Sequence, residues 1–292
     1  MQRSSCEIER MESRLLLDAS ATLNGRGVFV VTGTDDAETI DIGYSPDGTM
    51  VQASLNGTLL GEAAVADVRG IRVNALAGDD TVTIAENVAK RSDVRGGDGN
   101  DSLSDASGRA RLSGGSGDDV LNLTGTRGSA SGGDGADSIT GADGNYSVSG
   151  GAGADVITLG NGNNRASGGG DNDTISAGSG RNRLDGNDGD DTITAGSAAT
   201  GRAIINGGDG NDTITVDTAT SVIFGGDGND TITGSAGDDT IYGGDGTDSL
   251  SGGSGGTDDV QEGYPDDFGF GHGRHGGGES RGGDRGGFGG HF

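Results

Sequence analysis

Large aromatic anchors are nearly missing from this chain, which has no tryptophan, four tyrosines and six phenylalanines among 292 residues. An ordinary globular core of that length cannot be filled without them. With Cys6 as the single cysteine, no intrachain disulfide can hold the fold. Cys6 also lacks the preceding apolar stretch that lipid attachment requires, because Met1 to Ser5 offer none. No segment approaches the run of roughly 20 apolar residues that spans a bilayer, so a soluble or surface-attached protein is expected. Basic residues are scarce as well: 19 Lys and Arg face 46 Asp and Glu, a formal net charge of -27. Nucleic acid and anionic membranes are poor partners for such a chain. Divalent cations are the natural counter-charge.

What the chain has in excess is glycine, 65 residues of it. High charge combined with few apolar residues describes a polypeptide that stays unfolded unless something supplies binding energy. The glycines are not scattered. The stretch Gly225-Gly226-Asp227-Gly228-Asn229-Asp230-Thr231-Ile232-Thr233 recurs with small variations from about Ala75 to Val260. It matches G-G-x-G-x-D-x-U-x, where U is a large aliphatic, and resembles the RTX, or hemolysin-type calcium-binding, repeat.

That resemblance implies an all-β chain, a right-handed parallel β-roll (β-solenoid), here with a small N-terminal β cap and disordered termini. In such a roll the first six residues of each copy turn tightly and the last three form a short strand. Two copies make one coil of about eighteen residues. Val82, Leu103, Leu121, Ile139, Ile157, Ile175, Ile193, Ile214, Ile232 and Leu250 should then form one inward ladder. Leu112, Val148, Leu184, Ile223 and Ile241 belong to the opposite one. One aliphatic per nonapeptide buries too little surface to offset the backbone entropy of nine residues. Stacked turns also bring Asp against Asp at the inter-strand spacing of about 4.8 Å, where like charges repel. Multiple Ca²⁺ ions between the turns reverse that repulsion, since Ca²⁺ accepts six to eight oxygen ligands from carboxylates and carbonyls whereas Mg²⁺ demands a smaller octahedral shell. Metal binding then becomes folding energy.

The expected metal ligands are the sixth-position acids Asp80, Asp101, Asp119, Asp137, Asp155, Asp173, Asp191, Asp212, Asp230 and Asp248, which should line one edge. Intervening turns carry Ala110, Gly128, Tyr146, Asn164, Asn182 and Ser221 at the equivalent place, so the other edge should be mostly free of metal. Asp239 restores the acid there, next to Asp258 and Asp259, and is expected to begin a second row confined to the C-terminal end.

Four regions follow from the composition along the chain. Residues 1–25 form a disordered or short-helical tail, in which Glu12-x-Arg14 followed by Leu16-Leu17 resembles the LEPR-XLL motif of exported, repeat-bearing surface proteins, with Ser13 in place of its proline. Residues 26–74 form a β-strand cap and 75–263 the calcium-binding roll. Residues 264–292 form a disordered Gly/His/Arg-rich tail that holds all three histidines, His272, His275 and His291. No Ser/His/Asp or HExxH arrangement is present, and no room remains for a catalytic domain, so a non-enzyme is expected. The family resemblance implies export to a calcium-rich extracellular medium or the cell surface. The expected function is a structural or interaction module there, with calcium and cell-surface or matrix components as partners and no nucleic acid. Two alternatives stand beside it: an ice-binding β-solenoid using outward pairs such as Thr192/Thr194 and Thr213/Thr215, and an accessory or secretion module for a toxin or hydrolase encoded elsewhere.

Overall fold

The computed structural model describes residues 19–254 and 256–263, and among these there are 24 strands and no helix. Glycines recur at short intervals through the repeats, and the apolar residues recur with the strand period of two inside each short segment. The chain winds as a parallel β-solenoid of about ten turns. A representative coil comprises a strand at Ser138–Gly141, a turn, a strand at Asn145–Ala152, and a second turn. Ser138–Gly141 pairs in parallel with Val156–Leu159, and Asn145–Ala152 with Arg165–Gly170. Every residue thus stacks on the residue one coil later.

This register explains the core. Ile139 lies on Ile157, which lies on Ile175 and then Ile193, all fully buried. The expected inward ladder is buried from Val82 to Ile232, with Leu250 partly buried at its end. Leu112, Val148, Leu184, Ile223 and Ile241 are buried on the opposite stack. Tight coil stacking also dictates one class of glycine. At Gly151 the φ is +138° and a Cβ would collide with the carbonyl of Gly133 in the coil before, so only glycine fits without displacing the neighbouring backbone.

Two coils are longer, because Thr81 pairs with Ser102 and Thr192 with Thr213. In the second case register shifts between Ala195 and Ala198, and again before Arg202, absorb the extra residues on the edge away from the aspartates. The aspartate edge keeps its stacking through both insertions.

The N-terminal strands expected as a cap are the first coil of the solenoid. Val28–Thr32 pairs in parallel with Gly70–Ala77, and Thr39–Tyr44 with Thr81–Ile84, so Phe29, Val31, Ile40 and Ile42 extend the same buried ladders. Between these strands the chain makes a hairpin of Met50–Leu55 and Thr58–Ala64, turning at Asn56 (φ 50°) and Gly57 (φ 76°) as the Asn-Gly pair dictates. Ser20–Leu23, within the stretch expected as a tail, is a strand antiparallel to Val28–Thr32. The expected helix and LEPR-XLL-like motif, and the Gly/His/Arg-rich tail, lie outside the described residues.

Candidate metal centre

The nonapeptide turns put one carboxylate from each coil on one edge, and the stacking of coils makes them a column. Each backbone N–H in this column donates to Oδ1 of the aspartate one coil later, from Asp80 on Asp101 to Asp230 on Asp248, at 2.7–3.0 Å. That leaves Oδ2. In Asp80, Asp101, Asp119, Asp137, Asp155, Asp173, Asp191, Asp212, Asp230 and Asp248 this oxygen is buried and accepts no hydrogen bond. Ten orphaned carboxylate oxygens in one column are an arrangement that buried polar groups do not normally tolerate.

Glycine at the first position of each repeat shapes the space beside the orphan. A Cβ built on Gly150 would collide with Asp155 Oδ2 and stand 2.8 Å from the carbonyl oxygen of Gly168 in the next coil. The same convergence occurs at Gly132, between Asp137 Oδ2 and the Gly150 carbonyl at 2.7 Å, and at Gly168, between Asp173 Oδ2 and the Gly186 carbonyl at 2.8 Å. Each cradle therefore gathers a carboxylate oxygen from one turn and a carbonyl oxygen from the turn stacked on it. No group of three or more His, Cys, Asp or Glu side chains converges among the described residues. A cation here must take carbonyl oxygens along with carboxylates. Oxygen-only donors of this mixed kind fit a hard, flexible-geometry ion such as Ca²⁺ and not Zn²⁺, which prefers nitrogen and sulfur.

The electrostatics agree. Burial is the main cause that pushes Asp80, Asp119 and Asp212 up to about 7, and Asp137, Asp155, Asp173, Asp191 and Asp230 up to about 6, with nearby carboxylates in and beside the column adding to it and the backbone N–H donors opposing it. Burial also raises Asp101. A column that must carry negative charge in a dry place calls for a cation.

The other edge solves the same problem without charge. Asn164 and Asn182 occupy the acid position, and their Oδ1 atoms accept the backbone N–H of Tyr146 and Asn164 one coil earlier. Where the aspartates have an orphaned oxygen, these residues have an amide nitrogen. It donates to the carbonyl four residues upstream, from Asn164 to Gly160 at 3.0 Å and from Asn182 to Gly178 at 2.6 Å. Tyr146 fills its own turn and donates its hydroxyl to the Gly125 carbonyl. Asp239 differs from the ten aspartates of the column. Its Oδ1 accepts from the Ser221 backbone and hydroxyl, and its Oδ2 from the Ser235 backbone at 2.7 Å and hydroxyl at 2.9 Å, so neither oxygen is open. Ser235 stands in place of the repeat's second glycine and supplies those donors.

Three features were not anticipated from the sequence. Glu38 heads the acid column: its backbone N–H donates to Asp80 Oδ1, and Thr34 satisfies both its carboxylate oxygens through its N–H and hydroxyl. The signal was Gly33-Thr34-Asp35-Asp36-Ala37-Glu38, a degenerate repeat turn. The fifth position forms an outer ladder, in which Asn229 N–H donates to Asn211 Oδ1 at 2.9 Å and Asn211 N–H to Asp190 Oδ1 at 2.6 Å. The Asn or Asp preceding most of the column acids, with Ala136, Ala154 and Thr247 as the exceptions, was that signal. Asp105 is fully buried among Ser92 and Ser107, both of which donate to it, and nothing in the repeat pattern marks it.

The family described as RTX calcium-binding nonapeptide repeat matches residues 94–125, 131–166, 167–200, 198–218 and 224–257, together just over half of the chain. Among solved structures the chain is similar to a hyperactive, Ca²⁺-dependent, β-helical antifreeze protein from an Antarctic bacterium. The identity is 23% and the TM-score 0.41, over 65% of this chain and 75% of that one. No curated protein matches.

Proposed function

We propose, from the premise that the chain belongs to the RTX calcium-binding nonapeptide repeat family, that it is an exported, non-catalytic β-roll that folds on binding extracellular Ca²⁺. It then serves as a structural or interaction module at the cell surface or in the matrix. One observation carries this reading: ten buried, unpartnered carboxylate oxygens stand in a single column. Bound Ca²⁺ supplies the positive charge and the additional coordination that these oxygens lack. The chain's own part is to hold Oδ1 by the backbone of the preceding coil, so that each Oδ2 is already aimed into its glycine cradle. Extracellular calcium modules bind with dissociation constants of about 10⁻⁴ to 10⁻³ M, so a chain exported through a calcium-poor interior stays unfolded until it arrives.

The ion row is proposed for the Asp80 to Asp248 edge alone, because the Asn164 and Asn182 amides and the Ser235 donors close the other one. Equilibrium dialysis should count roughly ten ions per chain, one per open carboxylate. A count near twice that, or calcium-dependent turnover in a panel of hydrolase assays, would overturn the proposal.

A second reading, ice binding, is favoured by one observation. The strands that follow the acid turns stack in register with Thr192 on Thr213 on Thr231 and Thr194 on Thr215 on Thr233, all exposed. From Thr81 to Ser251 neither outward column of that sheet holds a charged residue. Threonine also favours exposed strands for ordinary reasons, and Val120, Asn122 and Val156 break the array. Under the first reading the calcium-loaded chain shows no thermal hysteresis. A hysteresis gap that Thr213→Lys abolishes would favour the second.

A further inference from the structure

The sheet on the opposite side of the roll carries the reverse character. Arg91, Arg109 and Arg127 stack in three successive coils, and farther along Arg181 and Arg202 do the same. In the next outward column Arg165 stacks on Arg183, with Arg111 three coils earlier. All eight are exposed, and none makes an ion pair or side-chain hydrogen bond among the described residues. Two acids share this part of the sheet: Asp93, which Arg72 and Arg95 hold at 3.2 and 3.5 Å, and Asp185, which follows Ser167 in its column and accepts from the Asn206 amide at 3.0 Å. A chain of net charge -27 thus concentrates unpaired guanidinium groups on one face.

The face is shaped as well as charged. A shallow groove runs between Arg72, Arg91, Arg109, Arg111 and Arg127, and a second, sharing Arg111 and Ser129 with it, continues past Ser147 to Arg165. Serine hydroxyls line its floor between and beside the arginines: Ser129 and Ser147 separate Arg111 from Arg165 in one column, and Ser113, Ser131, Ser149 and Ser167 fill the next. Stacked arginines recur at the inter-strand spacing of about 4.8 Å.

We propose that this groove binds a linear acidic polysaccharide laid along the solenoid axis. A sugar ring advances its chain by a distance comparable to one coil, so acid groups on successive residues meet successive guanidiniums along the Arg91, Arg109 and Arg127 run and again from Arg165 onward. Guanidinium groups pair with carboxylate or sulfate in a two-bond fork, and the serine hydroxyls match sugar hydroxyls. Single-stranded nucleic acid fits less well, because it needs exposed aromatic platforms. The aromatic pair of this face, Phe224 and Tyr242, is stacked on itself at 5.2 Å and mostly buried. A membrane surface needs large apolar side chains beside the basic ones, and the exposed large hydrophobics Leu23, Leu59, Val120, Val156 and Val260 do not line the groove. With a Debye length of about 8 Å at physiological ionic strength, a ligand in the groove responds to the arginines more than to carboxylates on distant edges.

Because the groove assignment rests on the calcium-folded roll, it is tested on the full chain in millimolar calcium with circular dichroism recorded on each sample. Fluorescent oligogalacturonate and a heparin-type oligosaccharide probe the two acid groups, with neutral dextran, duplex DNA and anionic phosphatidylglycerol vesicles alongside. The first or second probe should bind, and R91Q/R109Q/R127Q should weaken it at least about tenfold, with an unchanged spectrum. R26Q, which removes an exposed arginine in the turn before the first coil, should bind as the unaltered chain does. Failure of both acidic oligosaccharides to bind a chain whose spectrum shows β structure overturns the groove assignment while leaving the calcium reading intact. DNA or vesicles binding as tightly as the oligosaccharides, or a triple variant that binds undiminished, overturns it too.

Discussion

Chelating calcium at pH 7.5 should abolish the β signal in far-ultraviolet circular dichroism, and restoring calcium, though not magnesium, should return it cooperatively. The expectation comes from the column. At that pH the ten aspartates are ionised in the unfolded chain, but folding without a cation places each Oδ2 in a buried, unpartnered position beside its neighbours. Folding is therefore opposed by desolvation and by like-charge contact at once. Every coil shares its carboxylate with the coil before it, so loss of one ion weakens both neighbours and the transition is steep.

Protons should partly replace the metal. Burial in the fold pushes eight of the column carboxyls, Asp80, Asp119, Asp137, Asp155, Asp173, Asp191, Asp212 and Asp230, up to about 6 to 7, against about 3.9 when unfolded. Between those values the folded state binds more protons, so the metal-free fold is stabilised below about pH 4 and loses that contribution as pH rises through 6 to 7. In EDTA at pH 5 the chain should therefore regain part of the β signal that it lacks at pH 7.5, and the calcium midpoint should rise as pH falls. A β spectrum at pH 7.5 that ignores the chelator would contradict this whole account.

The coil architecture was legible because a nine-residue pattern repeated over most of the chain carries its own register. Ile139, Ile157 and Ile175 could be placed on one ladder by counting alone, and the two long spacings before Asp101 and Asp212 were readable as turns of extra length. What hid was whatever departed from the consensus. Val28–Thr32 and Thr39–Tyr44 read as a separate cap because the hairpin that follows them stretches their coil offset to 42 residues. Asp239 has the spacing of a ligand, but its two oxygens are taken by serines that the pattern does not weigh. The arginine face was hidden differently. Arg91, Arg109 and Arg127 are far apart in sequence, and a net charge sums away what the eighteen-residue stacking gathers onto one side.

Asparagine substitution within the acid column should separate the two duties of the aspartate. In the chain, Oδ1 of Asp155 accepts the Asp137 backbone N–H and Oδ2 is left open. The triple variant D137N/D155N/D173N keeps every Oδ1 acceptor and replaces the open oxygen by an amide nitrogen. Asn164 and Asn182 already show what such a nitrogen does at this position, donating to the carbonyl four residues upstream. The variant should bind fewer ions by equilibrium dialysis and retain more β structure in EDTA than the unaltered chain. D137A/D155A/D173A removes the acceptors as well. It leaves buried backbone N–H groups of the preceding coils unsatisfied, at about 1–3 kcal/mol each, a large share of a typical stability of about 5–15 kcal/mol. That variant should unfold even in saturating calcium, or require far more of it. If the two triple variants respond alike to EDTA, the column's oxygens are not divided between a structural acceptor and a metal ligand, and the carboxylates contribute only diffuse negative charge.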